Sequence, residues 1–285
     1  MSSSKLKASD RQAIFKKLAT ALKKKYGGSI PKHKYNVLDT LLFACCLENV
    51  THDDAEAAFE RLLEAFDDLN VVRVSSVKEI EQALGEVDEV AWKALRIREC
   101  LQYVFEKHYA FDFEPLKRKT MDAAEKELAK IPHMSAFVRL YTLQNALDSH
   151  VVPLDDIQTE ILIWLGFVEP GTTPDKAAEE VKSSLRKNDV ALMCHLLRQL
   201  GTDKKYKGTF RVSKTLINSG EMDPQNAVER LEKHLKSPAA ARKKVRKKPA
   251  SAARKTKPAT GKTSKKVTRK KPAAKKTTKR PARKK

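Results

Sequence analysis

The charge of this chain is concentrated at one end, which separates a part that can fold from a part that cannot. Residues 237–285 contain 16 Lys and 6 Arg, no Asp or Glu, and, apart from proline, only two apolar side chains larger than alanine, Val245 and Val267. A segment of this composition buries too little apolar surface to offset its chain entropy. We therefore predict that this tail is disordered and that any hydrophobic core forms within residues 1–236.

The remaining 236 residues are electrically neutral. The whole chain has 58 Lys and Arg against 36 Asp and Glu, a formal charge of +22, and the tail accounts for all of it. The pI of about 9.8 therefore describes the tail rather than a folded domain. A body of this length can bury one large core or two small ones.

The tail places short clusters of cations along a flexible chain, an arrangement that suits contact with a phosphate backbone without reading of bases. Its composition resembles that of the C-terminal tail of linker histones. We predict sequence-independent binding of double-stranded DNA, with RNA as an alternative; a membrane is disfavoured because the tail has no aromatic or aliphatic anchor. The tail residues predicted to bind DNA are Arg242, Lys243, Lys244, Arg246, Lys247, Lys248, Arg269, Lys270 and Lys271.

Targeting and cysteine patterns predict an intracellular, DNA-associated protein, in a nucleoid or a nucleus. No apolar run approaches the ~20 residues that span a bilayer, and the first ten residues lack the apolar stretch of a secretory signal. The four cysteines form no C-x-x-C pair, so we interpret them as buried apolar residues rather than as a disulfide framework or a zinc site. They are Cys45, Cys46, Cys100 and Cys194.

The body has the apolar spacing of helices throughout, and we predict an all-α fold. Ile14, Leu18 and Leu22 lie on one helical face that ends before Gly27, and Thr51, Ser76 and similar residues stand where N-caps are needed. We divide the chain into an N-terminal helix (1–30), a helical body (31–203), a basic connector with a last helix (204–236), and the tail (237–285).

Four segments between residues 35 and 201 resemble, in order and spacing, the helix-hairpin-helix DNA glycosylase superfamily, endonuclease III in particular. The segment at residues 41–44 is similar to the family's L-L-S-A, and residues 131–137 take the place of its hairpin, L-P-G-V-G-R-K. Residues 154–156 lie where the family has V-D-T-H, and residues 167–171 look like its F-x-P-G turn. The resemblance implies an endonuclease III-like fold.

The resemblance also implies a chemistry, which this chain retains only in part. In the family, hairpin glycines let backbone N–H groups approach a phosphate, a lysine attacks the sugar of a flipped nucleotide, and an aspartate assists. Here His133 and Ser135, with Met134 between them, replace the hairpin glycines, and Phe137 takes the lysine position. Lyase chemistry is therefore excluded unless another amine substitutes.

Of the reactive pair only Asp155 remains, and it has two interpretations. It can cap the following helix by accepting from a backbone N–H, or it can retain a catalytic role in base hydrolysis with water. The family's base-gap glutamine falls on Cys45. His133 either reaches a phosphate or is a surface residue, and we favour the surface. We interpret Trp92 and Trp164 as core or partly buried packing residues rather than base-stacking platforms.

The iron–sulfur cluster of many family members is predicted to be absent, with no other cofactor or metal. Cys194 lies near the first cysteine position, but the sequence K-K-Y-K occupies the region of the others. Its lysines, Lys204, Lys205 and Lys207, either extend a basic surface toward DNA or belong to a solvated loop.

Three functions are consistent with these observations. The first is a non-enzymatic DNA-binding protein on a degenerate endonuclease III-like scaffold. The second is an active monofunctional DNA glycosylase of base excision repair that uses Asp155. The third is a protein-binding body that the tail tethers to DNA or RNA. The missing hairpin glycines and Phe137 favour the first.

Overall fold

The computed structural model describes residues 6–212 and 222–236, and all regular elements within these ranges are helical, as predicted. The α-helices are α1 (Ala8–Tyr26), α2 (Val37–Leu47), α3 (His52–Ala65), α4 (Leu69–Val74), α5 (Val77–Leu84), α6 (Val90–His108), α7 (Met121–Leu128), α8 (Ala136–Leu147), α9 (Asp156–Trp164), α10 (Pro174–Lys182), α11 (Lys187–Thr202) and α12 (Ala227–Lys236). Two 3₁₀ helices span Glu114–Arg118 and Pro224–Asn226. The tail residues predicted to bind DNA lie outside the described residues.

Helix starts follow the capping chemistry expected from the sequence. Thr51 and Ser135 each accept a hydrogen bond from a backbone N–H three residues on, at the start of α3 and α8. Ser76 forms a capping box with Glu79 at the start of α5. Each such cap stabilises its helix by about 1 kcal/mol.

The structure differs from the sequence expectation where elements are short. The six-residue helix α4 was not predicted, because so short an element shows too little of the 3.6-residue period. Helix α7 ends at Leu128, and the backbone N–H groups of Lys130 and Ile131 donate to carbonyl oxygens three residues earlier, as in a 3₁₀ turn. The last helix is preceded by a 3₁₀ turn at Pro224.

The core is built around α2. Ten of its eleven residues are buried, and it packs against α3, α6 and α8. The N-terminal helix α1 packs against both α11 and α12, so the first and last described helices are neighbours. All four cysteines are buried, as predicted, and carry free thiols.

A buried lysine of α6 binds the carbonyl oxygens at the C-terminal end of α2. Lys93, 1% exposed, donates from Nζ to the carbonyl oxygens of Cys46 (3.1 Å) and Glu48 (2.5 Å), and more weakly to that of Cys45 (3.4 Å). A cation at this end offsets the negative pole of the helix dipole and satisfies carbonyls that lack partners within the helix. It thereby holds the loop at residues 48–50, which contributes to the site described next.

No helix among the described residues combines the length and the apolar character that a membrane span requires.

Candidate functional site

The hairpin between α7 and α8 makes its turn without glycine. His133 adopts a left-handed backbone conformation with φ 58°, the region in which glycine is ordinarily preferred. The His133 side chain is exposed, as predicted. Arg96 donates from Nε to the His133 carbonyl oxygen (2.9 Å), and Arg139 donates to that of Met134 (3.2 Å). The conformation is thus held by long side chains rather than by backbone freedom.

Ser135, which replaces the second hairpin glycine of the resemblance, is the N-cap of α8. The Oγ atom of Ser135 accepts from the Val138 N–H (3.2 Å), so it uses one of the N–H groups at the start of α8 that could otherwise point toward an anion. Met134 is buried between the two replaced positions. The Val138 N–H is therefore already paired within the hairpin.

An exposed aromatic residue flanks the hairpin. The Trp92 ring lies 6.0 Å from the His133 ring and is 52% exposed, so it is a partly buried packing residue and not part of the core. Trp92 lies in the first turn of α6. Trp164 is buried, as predicted.

Asp155 caps α9, which confirms its capping interpretation. Its Oδ1 accepts from the Gln158 N–H (2.9 Å), and Gln158 Oε1 accepts from the Asp155 N–H (3.0 Å), which completes a capping box. The residue is 2% exposed. One carboxylate oxygen is therefore engaged in local structure.

The other carboxylate oxygen is bound to a buried arginine. Asp155 Oδ2 lies 2.8 Å from Arg198 Nη1 and also accepts from the Asn49 N–H (3.2 Å). The same Arg198 nitrogen donates to the carbonyl oxygens of Leu47 (2.6 Å) and Val50 (3.3 Å). The ion pair thus joins α9, α11 and the loop after α2.

Phe137 packs against Arg198, so Asp155, Arg198 and Phe137 form a buried cluster around Asp155. The Phe137 ring is buried, and the Arg198 guanidinium carbon lies 4.8 Å from the ring centroid, within the range of a cation–π contact. A cavity of only about 60 Å³ remains beside it. Besides Phe137 and Arg198, its walls include Tyr141, Gln158 and His195.

The remaining titratable groups around the cavity are uncharged at neutral pH. Burial lowers the pKa of His195, and burial together with the neighbouring His33, His195 and Arg198 lowers the pKa of His52 to about 4. Burial raises the pKa of Tyr141 and of the Cys194 thiol to about 12. None of these groups is therefore an activated thiolate, phenolate or imidazolium.

Cys45, which falls on the glutamine position of the resemblance, cannot enter a DNA duplex. It is completely buried because α2 continues as far as Leu47. The loop begins only at Glu48, whose carboxylate forms an ion pair with Arg96. Asn49 follows with a left-handed backbone (φ 60°) and a partly exposed side chain.

The predicted lysines after α11 join a second group that sequence reasoning missed. Lys204, Lys205 and Lys207 are exposed, and so are the three lysines in the last turn of α1, at residues 23–25. Two contacts bring the groups together: Tyr26 donates from its hydroxyl to Asp203 (3.0 Å), and Lys25 Nζ lies 4.9 Å from the Tyr206 ring centroid. We call these six lysines the basic surface.

The cysteines do not fit an iron–sulfur cluster. Such a cluster requires four thiolate ligands. Here three cysteines lie on α2 and α6 and only Cys194 lies on α11, with no cysteine after it in the sequence. Burial also raises the pKa of Cys46 and Cys194, which disfavours their thiolates.

Arg198 is the central site residue that sequence reasoning missed. It lies on the face of α11 that also buries Val190, Met193 and Cys194. A charged residue among the apolar residues of a buried helical face indicates a buried partner of opposite charge, because a charge is rarely fully buried unless it is paired. The sequence does not show that the partner is Asp155, 43 residues earlier.

Comparison with solved structures identifies the fold, whereas comparison of sequences finds no relative. No protein-family model and no curated protein matches the chain. A non-covalent endonuclease III–DNA complex is similar with a TM-score of 0.55 at 13% identity, covering 79% of this chain and 99% of that one. A trapped endonuclease III–DNA covalent intermediate gives 0.54 at 14%, covering 68% and 86%.

A third similar structure is the Clostridium acetobutylicum 8-oxoguanine glycosylase/lyase bound to double-stranded DNA. Its TM-score is 0.50 at 14% identity, and the match covers 65% of this chain and 68% of that one. These comparisons show that the chain has an endonuclease III-like all-α fold.

Proposed function

We propose that this protein binds double-stranded DNA independently of sequence and that its body is a scaffold that does not excise bases. The observation that carries the proposal is the Asp155–Arg198 ion pair beneath Phe137. In the resemblance, Phe137 takes the position of the family's reactive lysine and Asp155 that of its aspartate.

Two properties of this position argue against base excision. Both oxygens of Asp155 are bound within the protein, so activating a water or stabilising a sugar cation would require breaking a buried ion pair. The cavity of about 60 Å³ is also far smaller than the ~300 Å³ at which ligand pockets ordinarily begin. A nucleotide flipped from a duplex needs a pocket that holds its base.

Double-stranded DNA is favoured as the partner by the fold and by charge. The similar structures include endonuclease III complexed with DNA and a glycosylase/lyase bound to double-stranded DNA. The neutral body presents the basic surface, and the tail adds 22 positive charges. Cations of this kind bind phosphates and release counterions, which supplies most sequence-independent affinity. We accordingly propose an intracellular, DNA-associated protein.

The first experiment measures binding of the full chain to a fluorescent duplex as salt is raised. If about ten tail charges contact phosphates together, the slope of log affinity against log salt is about −9. Two duplexes of unrelated sequence are expected to give the same affinity, and an RNA duplex of equal length tests the alternative partner. A strong preference for one DNA sequence would contradict the proposal.

A matched pair of variants tests the basic surface. Changing Lys205 and Lys207 to Gln is expected to reduce the steepness of the salt slope by about 2 and to weaken all duplexes equally. The control changes Lys78 and Lys176, exposed lysines on α5 and α10, and is expected to leave the slope unchanged. Equal effects of the two pairs would exclude a specific basic surface.

Base release distinguishes the scaffold from an active glycosylase. The full chain is incubated with duplexes that carry uracil, an oxidised base or an abasic-site analogue, beside an intact duplex. We expect the full chain to bind all of them equally and to release no base. Release that disappears in a folded Asp155→Asn variant would instead establish the glycosylase function and refute the scaffold proposal.

A further inference from the structure

Two histidines and a glutamate converge beside the cavity, outside the cluster around Asp155. His52 is the first residue of α3, and Glu56 follows one turn later on the same face of that helix. His33 comes from the non-helical segment that connects α1 to α2. One nitrogen or oxygen from each of the three side chains lies within 4.8 Å of the others.

Hydrogen bonding does not explain this arrangement. The two carboxylate oxygens of Glu56 lie 3.8 Å from His33 Nδ1 and 3.8 Å from His52 Nδ1, distances too long for hydrogen bonds. Within the described residues, His52 Nδ1, the nitrogen that faces Glu56, is buried without any hydrogen-bond partner. The His52 side chain is only 9% exposed. A buried polar nitrogen without a partner costs about 1–3 kcal/mol, so a missing ligand would account for it.

The surroundings of His52 favour its neutral imidazole, the form that binds metals. Burial, assisted by His33, His195 and Arg198, lowers the pKa of His52 to about 4. The nearby Arg198 does not oppose a bound cation with its full charge, because it is paired with Asp155. The carboxylate of Glu56 supplies negative charge at the cluster itself.

We propose that His33, His52 and Glu56 bind one divalent transition-metal ion of the zinc type. Two imidazoles and one carboxylate form a ligand set that Zn²⁺ uses in proteins, with a fourth position for water or another ligand. Ligand atoms around a tetrahedral zinc ion lie about 3.3 Å apart, so ligand atoms that now lie within 4.8 Å of one another must close by up to about 1.5 Å. Glu56, whose side chain is 38% exposed, has room to make that movement.

The bound ion would join two parts of the chain. His33 belongs to the connector at residues 27–36, whereas His52 and Glu56 belong to α3. Since the connector contains no helix of its own, a metal clamp would fix it against the body and stabilise the folded state relative to the unfolded chain.

Calorimetry on the full chain tests the site directly. The protein is stripped with a chelator and titrated with ZnCl₂, and its melting temperature is recorded with and without the metal. We expect one saturable site per chain and a higher melting temperature with Zn²⁺. Glu56→Gln is expected to weaken Zn²⁺ binding at least tenfold and to remove most of the thermal shift. The control, Glu60→Gln, changes an exposed glutamate one turn further along α3 and should behave as the original protein.

A second variant keeps the test decisive if Glu56→Gln disturbs folding. His33→Gln alters a residue outside any helix, and circular dichroism establishes that the variant is folded. It too is expected to lose at least tenfold in affinity for Zn²⁺. No saturable binding, or equal affinity in Glu60→Gln and the folded ligand variant, would overturn the proposal.

Discussion

The ion pair between Arg198 and Asp155 permits the sharpest test of how this molecule is held together. Replacing Arg198 by Met keeps most of the apolar volume of the side chain but removes its charge and all its donors. Asp155, with its side chain 1% exposed, would then retain a buried negative charge, and the carbonyl oxygens of Leu47 and Val50 would lose a partner.

The magnitude follows from these contacts. Breaking a buried pair by removing one partner ordinarily costs about 3–5 kcal/mol, because the surviving charge is left uncompensated. Two backbone N–H groups, of Asn49 and Gln158, still donate to Asp155 and offset part of this cost. We therefore expect Arg198→Met to lower the free energy of unfolding by about 3–4 kcal/mol, a large part of the stability of an ordinary domain.

Urea unfolding followed by circular dichroism measures this effect as a lower midpoint with an unchanged slope. The control is Arg186→Met, an exposed arginine before the same helix, which should change stability by less than about 0.5 kcal/mol. The double variant Arg198→Met with Asp155→Asn should cost less than the sum of the single changes, because neither charge is then left alone. A loss below about 1 kcal/mol for Arg198→Met would refute the assignment of Arg198 as the partner that neutralises Asp155.

Three further predictions concern other parts of the fold. Gly166→Ala should destabilise by at least about 2 kcal/mol in urea unfolding, because φ is +80° and a Cβ would lie 2.0 Å from the Met222 carbonyl oxygen. Lys93→Met should cost about 2–4 kcal/mol in the same assay, since carbonyls at the end of α2 lose their buried donor; an unchanged midpoint would contradict this cap. Burial lowers the pKa of His234 below 6.5, so the unfolded chain binds that proton more tightly and stability is lost as pH falls below about 6.5. His234 changes the free energy of unfolding by at most about 1.4 kcal/mol per pH unit. The difference in stability between the original protein and His234→Gln, measured from pH 5 to pH 7, isolates this contribution.

Local patterns were sufficient to predict most helices and several of their caps. The Thr51, Ser76 and Ser135 caps depend on atoms three residues apart, so the sequence contains both partners of each bond. The neutral body and the concentration of 22 positive charges in residues 237–285 follow from composition. The order and spacing of four weak motifs also indicated the endonuclease III-like fold, which three-dimensional comparison confirms although identity is only 13–14%.

The candidate sites were decided by contacts between residues that are far apart in the chain. Arg198 donates to Leu47 across 151 positions, and the basic surface combines lysines of α1 with lysines after α11. His33 reaches α3 from a connector that has no periodic pattern. Single-sequence reasoning cannot pair such residues, because the energy of a buried charge or of an unpartnered nitrogen depends on which groups the packed helices bring within a few ångströms.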